Sequence, residues 1–452
     1  MNKFFLLFLG VLVQTAAISQ SYLRCGSTEL INIKEGQLPG FKSHLAEQFN
    51  QTKLAAQQSR NQAATIYVPV VVHVVYNTAQ QNLDDSIIKN QIAILNRDFN
   101  RNNADASNLR AVFGDVGGSS DIVFYLADTD PAGNPTNGII HKSTGKSSFS
   151  IDILGGSYVD LEKVKSAADG SVGWPSNKYC NIWVCNMAVN LFGTIQEGSL
   201  LGLATPPTNP LPSIWPSGAT SGLLDGLVLY YKVVGDNNPT LATDATLLPV
   251  ANKGRTAVHE MGHYLGLRHI WADKGNPLTG AAACTPFEDD GMADTPYMGS
   301  NSQTDGCNPS KNTCTYETPD LPDMIENYMD YSTESCQNTF TIEQVAFMRA
   351  ILENQRIDLT NWDPTPTVGI MLDVIALEQM VVYPNPARHK LNLLKPCSET
   401  GFYQLYNHLG VEVEQCSFTQ LESIAIGHLS AGVYILKVNT NRTSTIGRFV
   451  KE

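Results

Sequence analysis

Residues 259–269 read HEMGHYLGLRH, and this stretch decides how the rest of the chain is interpreted. On a helix, His259 and His263 are four positions apart and project from one face, where two imidazoles can bind one Zn²⁺. Gly266 can adopt the left-handed conformation that ends a helix and turns the chain, which makes His269 available as a third ligand. The sequence therefore predicts a zinc site with three protein nitrogens and an open fourth position.

Glu260 follows the first histidine, where its carboxylate would flank the open position. Zinc held in this way lowers the pKa of water towards about 7, so Glu260 is the candidate general base for hydrolysis of a peptide bond. The motif predicts a zinc metalloendopeptidase that acts on protein or peptide substrates. The alternative that stays open is a surface adhesin or binding protein with a structural zinc, although such a site normally fills its fourth position and needs no adjacent carboxylate.

The N-terminal sequence indicates where the protein is located, and the net charge indicates which partners are excluded. Residues 1–19 combine Lys3, an apolar run over 4–13 and a small-residue cleavage site, which predicts a secretory signal peptide. We identify no later stretch long enough to span a membrane. The net charge of −13 argues against nucleic acid as a partner. We therefore expect an exported protein with no membrane span.

Periodicity predicts the folded units. The run YVPVVVHVVY over 67–76 is typical of a buried strand, and further strands are predicted at 122–126, 182–184 and 226–231. Helical spacing predicts one helix after Asp84 and a closing helix over 342–352. The expected fold is an α/β catalytic domain over 61–360, with a mixed sheet, the zinc-binding helix and a loop-rich C-terminal part. A polar propeptide over 20–60, cut near Arg60, precedes it; a linker over 361–376 and a small β-sandwich over 377–452 follow it.

The extended histidine motif resembles that of the metzincin metallopeptidases, which also have a methionine-containing turn beneath the metal. Residues 327–332 (NYMDYS) match that turn. Within the metzincins the chain resembles the pappalysin family, on VPVVVHVVY at 68–76, GRTAVHEMGHYLGL at 254–267 and ADTP at 293–296. The resemblance covers residues 67–355 and implies a metzincin-like, two-part catalytic domain with zinc at the floor of a cleft.

The same resemblance implies roles for residues around the site. Met329 is implied to form the apolar base under the zinc, and Tyr331 to hydrogen-bond the oxyanion that develops on the scissile carbonyl. Disulfides are implied between Cys284 and Cys314 and between Cys307 and Cys336, whereas the sequence alone allows three pairings of these four cysteines. Calcium is implied at Asp290 and Thr295, in an acidic loop whose alternative reading is a solvated loop without an ion.

Two further residues are candidates for controlling the site. Arg24-Cys25-Gly26 resembles a latency motif in which a thiolate occupies the open position of the zinc, and the alternative is an incidental cysteine. Glu334 could face the pocket for the residue after the scissile bond, where a carboxylate would favour Arg or Lys. The alternative is an exposed glutamate without a role.

The last 70 to 80 residues resemble the sorting domain of proteins that leave bacteria through the type IX secretion system. The matching pieces are VVYPNPA at 381–387, LYNHLG at 405–410 and LSAGVYILKV at 429–438. The resemblance implies that the secretion machinery is a partner and that the protein crosses both bacterial membranes; a substrate-binding sandwich is the alternative. A disulfide between Cys180 and Cys185 is doubtful, because the two side chains point to opposite faces of a strand. The state of Cys397 and Cys416 stays open.

Overall fold

A computed structural model of the chain describes residues 22–58, 64–209, 224–273, 283–284, 289–315, 317–361, 378–379, 382–397, 400–407, 412–440 and 444–452. The chain divides into two units, Met1–Ile370 and Met371–Glu452. The predicted signal peptide, the predicted cut near Arg60 and the predicted linker beyond residue 361 lie outside the described residues. Within the described residues, no helix is both long and apolar enough to cross a membrane.

The described part of the first unit contains seven α-helices. They are α1 Ser27–Gln37, α2 Phe41–Gln58, α3 Asp85–Phe99, α4 Val159–Glu162, α5 Arg255–Tyr264, α6 Ile342–Glu353 and α7 Ile357–Asn361.

The strands of the first unit form one large and two small sheets. They are β1 Ile66–Tyr76, β2 Gly117–Gly118, β3 Ile122–Leu126, β4 Ile139–Ser143, β5 Phe149–Asp152, β6 Cys180–Cys185, β7 Met187–Leu191, β8 Thr194–Glu197, β9 Gly202–Ala204, β10 Leu227–Tyr230 and β11 Phe340–Thr341. The large sheet has the order β3-β1-β6-β10-β9, with β4 also paired to β1. All its pairings are parallel except that of β10 with β9. The predicted mixed α/β fold is confirmed.

β1 is the centre of this sheet because its sequence suits burial on both faces. Residues 68–75 are all buried, as expected for a parallel strand rich in valine. α3 packs beside the sheet and begins where predicted, since the Asp84 side chain accepts a hydrogen bond from the Ser86 N–H at 2.8 Å. The Gln91 side chain on α3 donates to the Gly254 carbonyl at 2.9 Å. This contact fixes the chain just before the helix that carries the histidines.

The closing helix α6 supports the site from the other side. Thr341 and Gln344 form a capping box at its start. The Asn327 side-chain amide donates to Gln344 Oε1 at 2.8 Å and so ties the methionine turn to α6. A buried Arg255 at the start of α5 donates to Asp98 Oδ2 at 2.9 Å. The helix α5, which carries His259 and His263, is therefore anchored to α3 at its first residue.

The segment predicted to be a polar propeptide forms the two helices α1 and α2, which the sequence analysis did not predict. Its few apolar residues lie against the catalytic unit: Leu30 and Phe41 are fully buried, and the rings of Phe49 and Phe347 lie 4.5 Å apart. Helices of this composition are stabilised by tertiary packing more than by their own propensity. The sequence of the segment alone does not show the surface that it packs on.

The second unit is all β in its described part. It contains β12 Glu378–Gln379, β13 Val382–Tyr383, β14 Lys390–Cys397, β15 Gly401–Asn407, β16 Glu412–Phe418, β17 Leu421–Ala425, β18 Gly432–Thr440 and β19 Ser444–Lys451. A five-stranded sheet in the order β12-β19-β18-β15-β16 and a three-stranded sheet in the order β13-β14-β17 share a core of buried side chains such as Leu391, Leu405, Leu436 and Phe449. This arrangement confirms the predicted small β-sandwich.

Candidate metal centre

Two of the three predicted ligands lie on α5, and the chain turns sharply after it to supply the third. The N–H of Gly266 donates to the His263 carbonyl and that of Leu267 to the Gly262 carbonyl, both at 2.9 Å. This pair of bonds is the Schellman ending of a helix, and Gly266 has the left-handed φ of 86° that it requires. The reversal returns His269 to the face on which His259 and His263 project.

The Nε2 atoms of the three histidines converge on one point. They lie 3.1 Å apart between His259 and His263, 3.2 Å between His259 and His269, and 3.0 Å between His263 and His269. All three side chains are buried. Burial, and then the neighbouring imidazoles, lower the pKa of His259 and His263, so both are neutral and able to ligate a metal. Buried nitrogens that converge at this spacing fit a zinc ion with ligands about 2.0–2.1 Å from the metal.

The Cys25 thiol completes this cluster. Its Sγ and the three histidine nitrogens all lie within 4.8 Å of one another, and Cys25 is fully buried. The main-chain N–H of Ser27 donates to Sγ at 3.3 Å. The structure thus brings the Cys25 sulfur next to the three histidine nitrogens, where the sequence analysis expected a thiolate at the open position.

The segment around Cys25 reaches the site by extending the sheet. Leu23 forms a parallel β-bridge with Leu200, which lies just before the edge strand β9. Leu23 donates to the Ser199 carbonyl at 2.7 Å, and Gly26 donates to the Gly202 carbonyl at 2.9 Å. The edge of β9 that is not paired with β10 therefore binds this extended segment beside the histidine cluster.

Glu260 is fully buried next to Cys25. Its Oε2 accepts hydrogen bonds from the Cys25 thiol at 3.5 Å and from the Ser27 hydroxyl at 3.2 Å. Its Oε1 has no hydrogen-bond partner among the described residues. Burial raises the pKa of Glu260 to about 8. A Cβ at Gly202 would lie 2.6 Å from Oε1, so the edge strand must have glycine there to leave room for the carboxylate.

The methionine turn lies beneath and beside the histidines. Met329 is fully buried, and a Cβ at Gly262 would lie only 2.5 Å from its sulfur, which shows how closely α5 packs on the turn. The ring of Tyr331 lies 5.0 Å from that of His269 between centroids. The Tyr331 hydroxyl donates to the main-chain carbonyl of Cys25 at 3.4 Å.

Arg24 occupies a small pocket on the side of the cluster nearest the methionine turn. Its guanidinium donates to the Tyr331 carbonyl at 2.8 Å, to the Ser332 carbonyl at 2.6 Å and to the Val250 carbonyl at 3.3 Å. The side chain is 6% exposed. Five N–H groups in a planar fork suit such a set of carbonyl oxygens.

Glu334 lies at the start of α5 and has contacts that the sequence did not suggest. Its carboxylate accepts hydrogen bonds from the N–H groups of Lys253 at 2.6 Å and of Thr256 at 2.7 Å, and from the Thr256 hydroxyl at 2.9 Å. It is fully buried, so the alternative of an exposed and uninvolved glutamate is wrong, while a role in substrate binding stays a prediction. A carboxylate at this place satisfies N–H groups that a helix start leaves free.

The acidic loop and the cysteines lie further along the chain. The Thr295 hydroxyl donates to Asp290 Oδ1 at 2.8 Å, while the buried Asp290 Oδ2 has no hydrogen-bond partner among the described residues. The structure joins Cys284 to Cys314 and Cys307 to Cys336, the pairing that the resemblance implied. Cys180 and Cys185 are buried free thiols, and Cys416 is an exposed one.

One residue that the sequence analysis missed contacts a predicted ligand directly. Asp273 Oδ1 lies 2.6 Å from His269 Nδ1. The sequence does show a carboxylate four positions after the third histidine. A separation of four residues predicts a side-chain contact only on a helix, however, and this part of the chain is a turn.

Comparison with protein families identifies two regions. Residues 236–353, which include the histidine cluster and the methionine turn, match the family described as Pregnancy-associated plasma protein-A peptidases. Residues 381–452 match the secretion system C-terminal sorting domain.

Individual relatives agree with these matches. The chain is 35% identical over 159 residues to an extracellular metalloprotease of Aspergillus oryzae, which is 34% of this chain and 42% of that protein. It is 28% identical over 316 residues to one of Colletotrichum graminicola, which is 67% of this chain and 85% of that protein.

Solved structures of mirolysin from Tannerella forsythia are similar to this chain over about two thirds or more of its length. A promirolysin mutant superposes with a TM-score of 0.59 and 36% identity, and the match covers 74% of this chain and 96% of that one. Mature mirolysin in complex with a cleaved peptide superposes with a TM-score of 0.53 and 37% identity, covering 67% of this chain and 97% of that one.

Proposed function

This chain belongs to the pappalysin family and is a secreted zinc metalloendopeptidase. We propose that it is made as a latent precursor, and that Glu260 acts as the general base once the precursor has been activated. The observation that carries this proposal is the convergence of Cys25 Sγ and three histidine nitrogens within 4.8 Å, beside the buried Glu260. A thiol that shares one point with three imidazoles fills the place that water needs for hydrolysis.

The chemistry divides between two side chains. Zinc, when bound by the three histidines, polarises a peptide carbonyl and makes water a nucleophile near neutral pH. Glu260 takes the proton from the attacking water and transfers it to the leaving amine. Its pKa of about 8 belongs to the covered state, in which burial raises the pKa and the hydrogen bonds from Cys25 and Ser27 lower it only in part. Removal of that segment readmits water and lowers the pKa towards the range of a base that is ionised at neutral pH.

Tyr331 stabilises charge on the substrate carbonyl. In the latent protein its hydroxyl already donates to a peptide carbonyl next to the metal centre, that of Cys25. This carbonyl stands in for the scissile one, and a donor placed here strengthens its bond as the oxygen becomes negative. A loss of Tyr331 is therefore expected to lower kcat more than it raises KM.

Substrates with Arg or Lys after the scissile bond fit the pocket that Arg24 fills. The carbonyls of Val250, Tyr331 and Ser332 supply acceptors for a guanidinium. The Glu334 N–H donates to the same Val250 carbonyl, and the buried Glu334 carboxylate is bonded to Thr256, which lines this pocket. When the propeptide leaves, a basic substrate side chain finds both the acceptors and the charge.

Calcium at Asp290 and Thr295 is the second metal of the proposal. Burial, with smaller contributions from the carboxylates of Asp289 and Asp294, raises the pKa of Asp290 to about 7. Asp290 Oδ2 is a buried oxygen that lacks a partner among the described residues. A hard divalent cation would neutralise this group of oxygens.

The test of the central proposal is cleavage of a mixed peptide library with every cut mapped. Activated wild-type protein is compared with Glu260→Gln, which keeps the size of the side chain, and with wild type plus a zinc chelator. We expect cleavage before Arg or Lys by the wild type and a loss of at least a thousandfold in both controls. A Glu260→Gln variant that still cleaves at the wild-type rate would exclude Glu260 as the base.

Latency has its own test in the intact precursor. Cys25→Ser replaces the sulfur ligand by a weak oxygen ligand while the helices α1 and α2 stay in place. We expect this precursor to convert to active enzyme much faster than wild type, and Cys416→Ser, an exposed thiol in the other unit, to convert at the wild-type rate. Equal conversion of Cys25→Ser and wild type would remove the thiol from the latency mechanism.

A further inference from the structure

Each histidine of the cluster has its second ring nitrogen fixed by a hydrogen bond, and the three partners are not equivalent. His259 Nδ1 lies 2.7 Å from the Tyr328 carbonyl, and His263 Nδ1 lies 2.9 Å from the Leu267 carbonyl. Both partners are main-chain atoms of elements that are already anchored. His269 Nδ1 instead lies 2.6 Å from the carboxylate oxygen Oδ1 of Asp273. In the part of the chain that the structure describes, this is the one carboxylate in contact with a ligand imidazole.

His269 is also the ligand with the least support from secondary structure. It lies after the end of α5, in a segment without regular hydrogen bonding, whereas the other two are held by the helix itself. Its ring is stacked on Trp271, with centroids 4.2 Å apart and an angle of 11° between the planes. Stacking fixes the plane of the ring but not which nitrogen carries the proton. The Asp273 carboxylate, which can only accept when ionised, places that proton on Nδ1 and leaves the Nε2 lone pair directed at the cluster.

We propose that Asp273 is the positioning residue for the zinc ligand His269, and that the latent precursor uses Thr28 to bind the same carboxylate. The proposal rests on the proposed function, because it assumes a zinc ion at the cluster and a removable propeptide. A carboxylate bonded to a ligand imidazole fixes its orientation and makes it a stronger donor to the metal. Asp273 thus orients His269, as α5 and main-chain carbonyls orient His259 and His263.

Thr28 links this device to the propeptide. Its hydroxyl donates to Asp273 Oδ1 at 3.0 Å and lies 3.4 Å from His269 Nδ1. The neighbouring Ser27 hydroxyl donates to Glu260 Oε2 at 3.2 Å. Two consecutive hydroxyls at the start of α1 therefore contact the two carboxylates that lie next to the metal centre. In the precursor these contacts add to the Cys25 contact, and both are lost when the segment is cut away.

The first experiment measures zinc retention in the mature enzyme. Wild type, Asp273→Asn and Asp273→Ala are loaded with zinc, and the rate of zinc release to excess chelator and the equilibrium zinc affinity are determined. We expect Asp273→Ala to bind zinc about 10- to 100-fold more weakly. Asp273→Asn should lie between, because its amide oxygen still accepts from Nδ1–H but carries no charge. The control is Asp115→Asn, an exposed carboxylate of the same unit that changes the net charge equally.

Two further measurements separate positioning from a general loss of structure. At saturating zinc, kcat of Asp273→Ala should fall while KM stays within about twofold, since Asp273 is proposed to act through His269. The cobalt-substituted variants should show an altered visible spectrum, which reports ligand geometry. Zinc affinity, zinc release and the cobalt spectrum unchanged in both variants would overturn the proposal, and so would a fall in thermal stability without any change in these three.

The second experiment uses the intact precursor. Thr28→Val keeps the shape of the side chain without the hydroxyl, and Thr28→Ser keeps the hydroxyl. We expect Thr28→Val to convert to active enzyme about tenfold faster, as for loss of a hydrogen bond to a charged group, and Thr28→Ser to behave as wild type. Equal rates for Thr28→Val and wild type would exclude the Thr28 contact.

The outcomes remain distinct from failure of the proposed function. Zinc release from the mature enzyme does not need Glu260, so Glu260→Gln should release zinc at the wild-type rate. An active Glu260→Gln would contradict the general-base assignment and leave the Asp273 measurements intact. A mature protein that binds no zinc would contradict the proposed function itself.

Discussion

The Arg24 guanidinium donates to the main-chain carbonyl of Tyr331 at 2.8 Å, although 307 residues separate the two in sequence. Arg24 directly precedes Cys25, so in the proposed precursor two adjacent side chains would close the centre: a sulfur at the metal and a cation in the neighbouring pocket. We therefore expect the proposed latency to have an electrostatic part that the thiol alone does not supply.

Arg24→Ala in the precursor is the first prediction. The substitution removes a buried cation together with its three hydrogen bonds, so we expect the precursor to convert to active enzyme at least about tenfold faster. Arg24→Lys keeps the charge but not the planar fork, so its rate should lie between the two. The time course of conversion is measured by intact-mass spectrometry. Lys42→Ala, which removes an exposed cation from α2, should convert at the wild-type rate, and an equal rate for Arg24→Ala would contradict the prediction.

Glu334→Gln separates the two roles of this carboxylate. The glutamine amide presents N–H groups towards the N–H groups of Lys253 and Thr256, so one buried donor loses its acceptor. We expect a loss of about 1–3 kcal/mol in the free energy of unfolding. The ratio of kcat/KM for Arg over a neutral residue after the scissile bond should fall about tenfold, because the negative charge beside the pocket is removed.

The control for this variant is Asp84→Asn, which alters the cap of α3 away from the pocket. It should leave the selectivity ratio unchanged. If Glu334→Gln lowers the stability but leaves the ratio as in wild type, the carboxylate caps α5 and does not select substrates.

The sequence predicted those parts of the site that depend on local geometry. The spacing of His259 and His263 on a helix and the glycine turn before His269 are set by a few bonds between neighbouring residues, and both are present in the structure. β1 and α6 were predicted to within two residues, and the start of α3 was predicted after Asp84, for the same reason, since their apolar pattern reports directly on a buried face.

The remaining features arise from contacts between distant segments. The carboxylate of Glu334 caps a helix that begins 79 residues earlier in the chain, and Arg24 donates to a carbonyl 307 residues later in the chain. α1 and α2 have little apolar periodicity because they pack on the rest of the unit through only a few side chains such as Phe41 and Phe49. Neither a motif nor a periodicity within the segment contains this information.

Calcium removal should reveal the titration of Asp290. Its pKa in the calcium-free fold is about 7, raised above the unfolded value, so its contribution to stability is fully present below about pH 4 and is lost as the pH rises through 7. The shift corresponds to an upper limit of about 4 kcal/mol. We therefore expect the Tm measured in a calcium chelator to fall between pH 5 and 8 because of this group, and added Ca²⁺ to restore it most strongly at pH 8.

Asp290→Asn isolates this group from all others that titrate. It should remove most of the fall in Tm between pH 5 and 8 and most of the response to Ca²⁺, whereas Asp115→Asn should keep both. A wild-type Tm that does not respond to Ca²⁺ at pH 8 would contradict the calcium assignment. A slope that persists in Asp290→Asn would assign the titration to another residue.

Lys311 holds together the disulfide-linked segment next to the methionine turn. Its ammonium lies 3.0 Å from Asp305 Oδ2 and 3.7 Å from Asp323 Oδ2, and it donates to the Ser302 hydroxyl at 3.1 Å. The Ser302 N–H in turn donates to Asp330 Oδ1 at 3.1 Å, directly after Met329. One buried cation thus connects two carboxylates to the turn that supports the zinc ligands.

Lys311→Met retains the aliphatic part of the side chain and removes the charge. Because Asp323 is fully buried, it is left without its cation, and we expect a loss of about 3–5 kcal/mol in the free energy of unfolding, measured by urea denaturation. The matched control is Lys163→Met, which breaks the exposed pair with Asp160 and should cost less than about 1 kcal/mol. A loss in Lys311→Met no larger than in the control would mean that hydrogen bonds from Thr313 to Asp323 suffice to hold the segment. If the loss is large, zinc retention at equal fractions of folded protein should also fall, since the methionine turn is then displaced along with the segment.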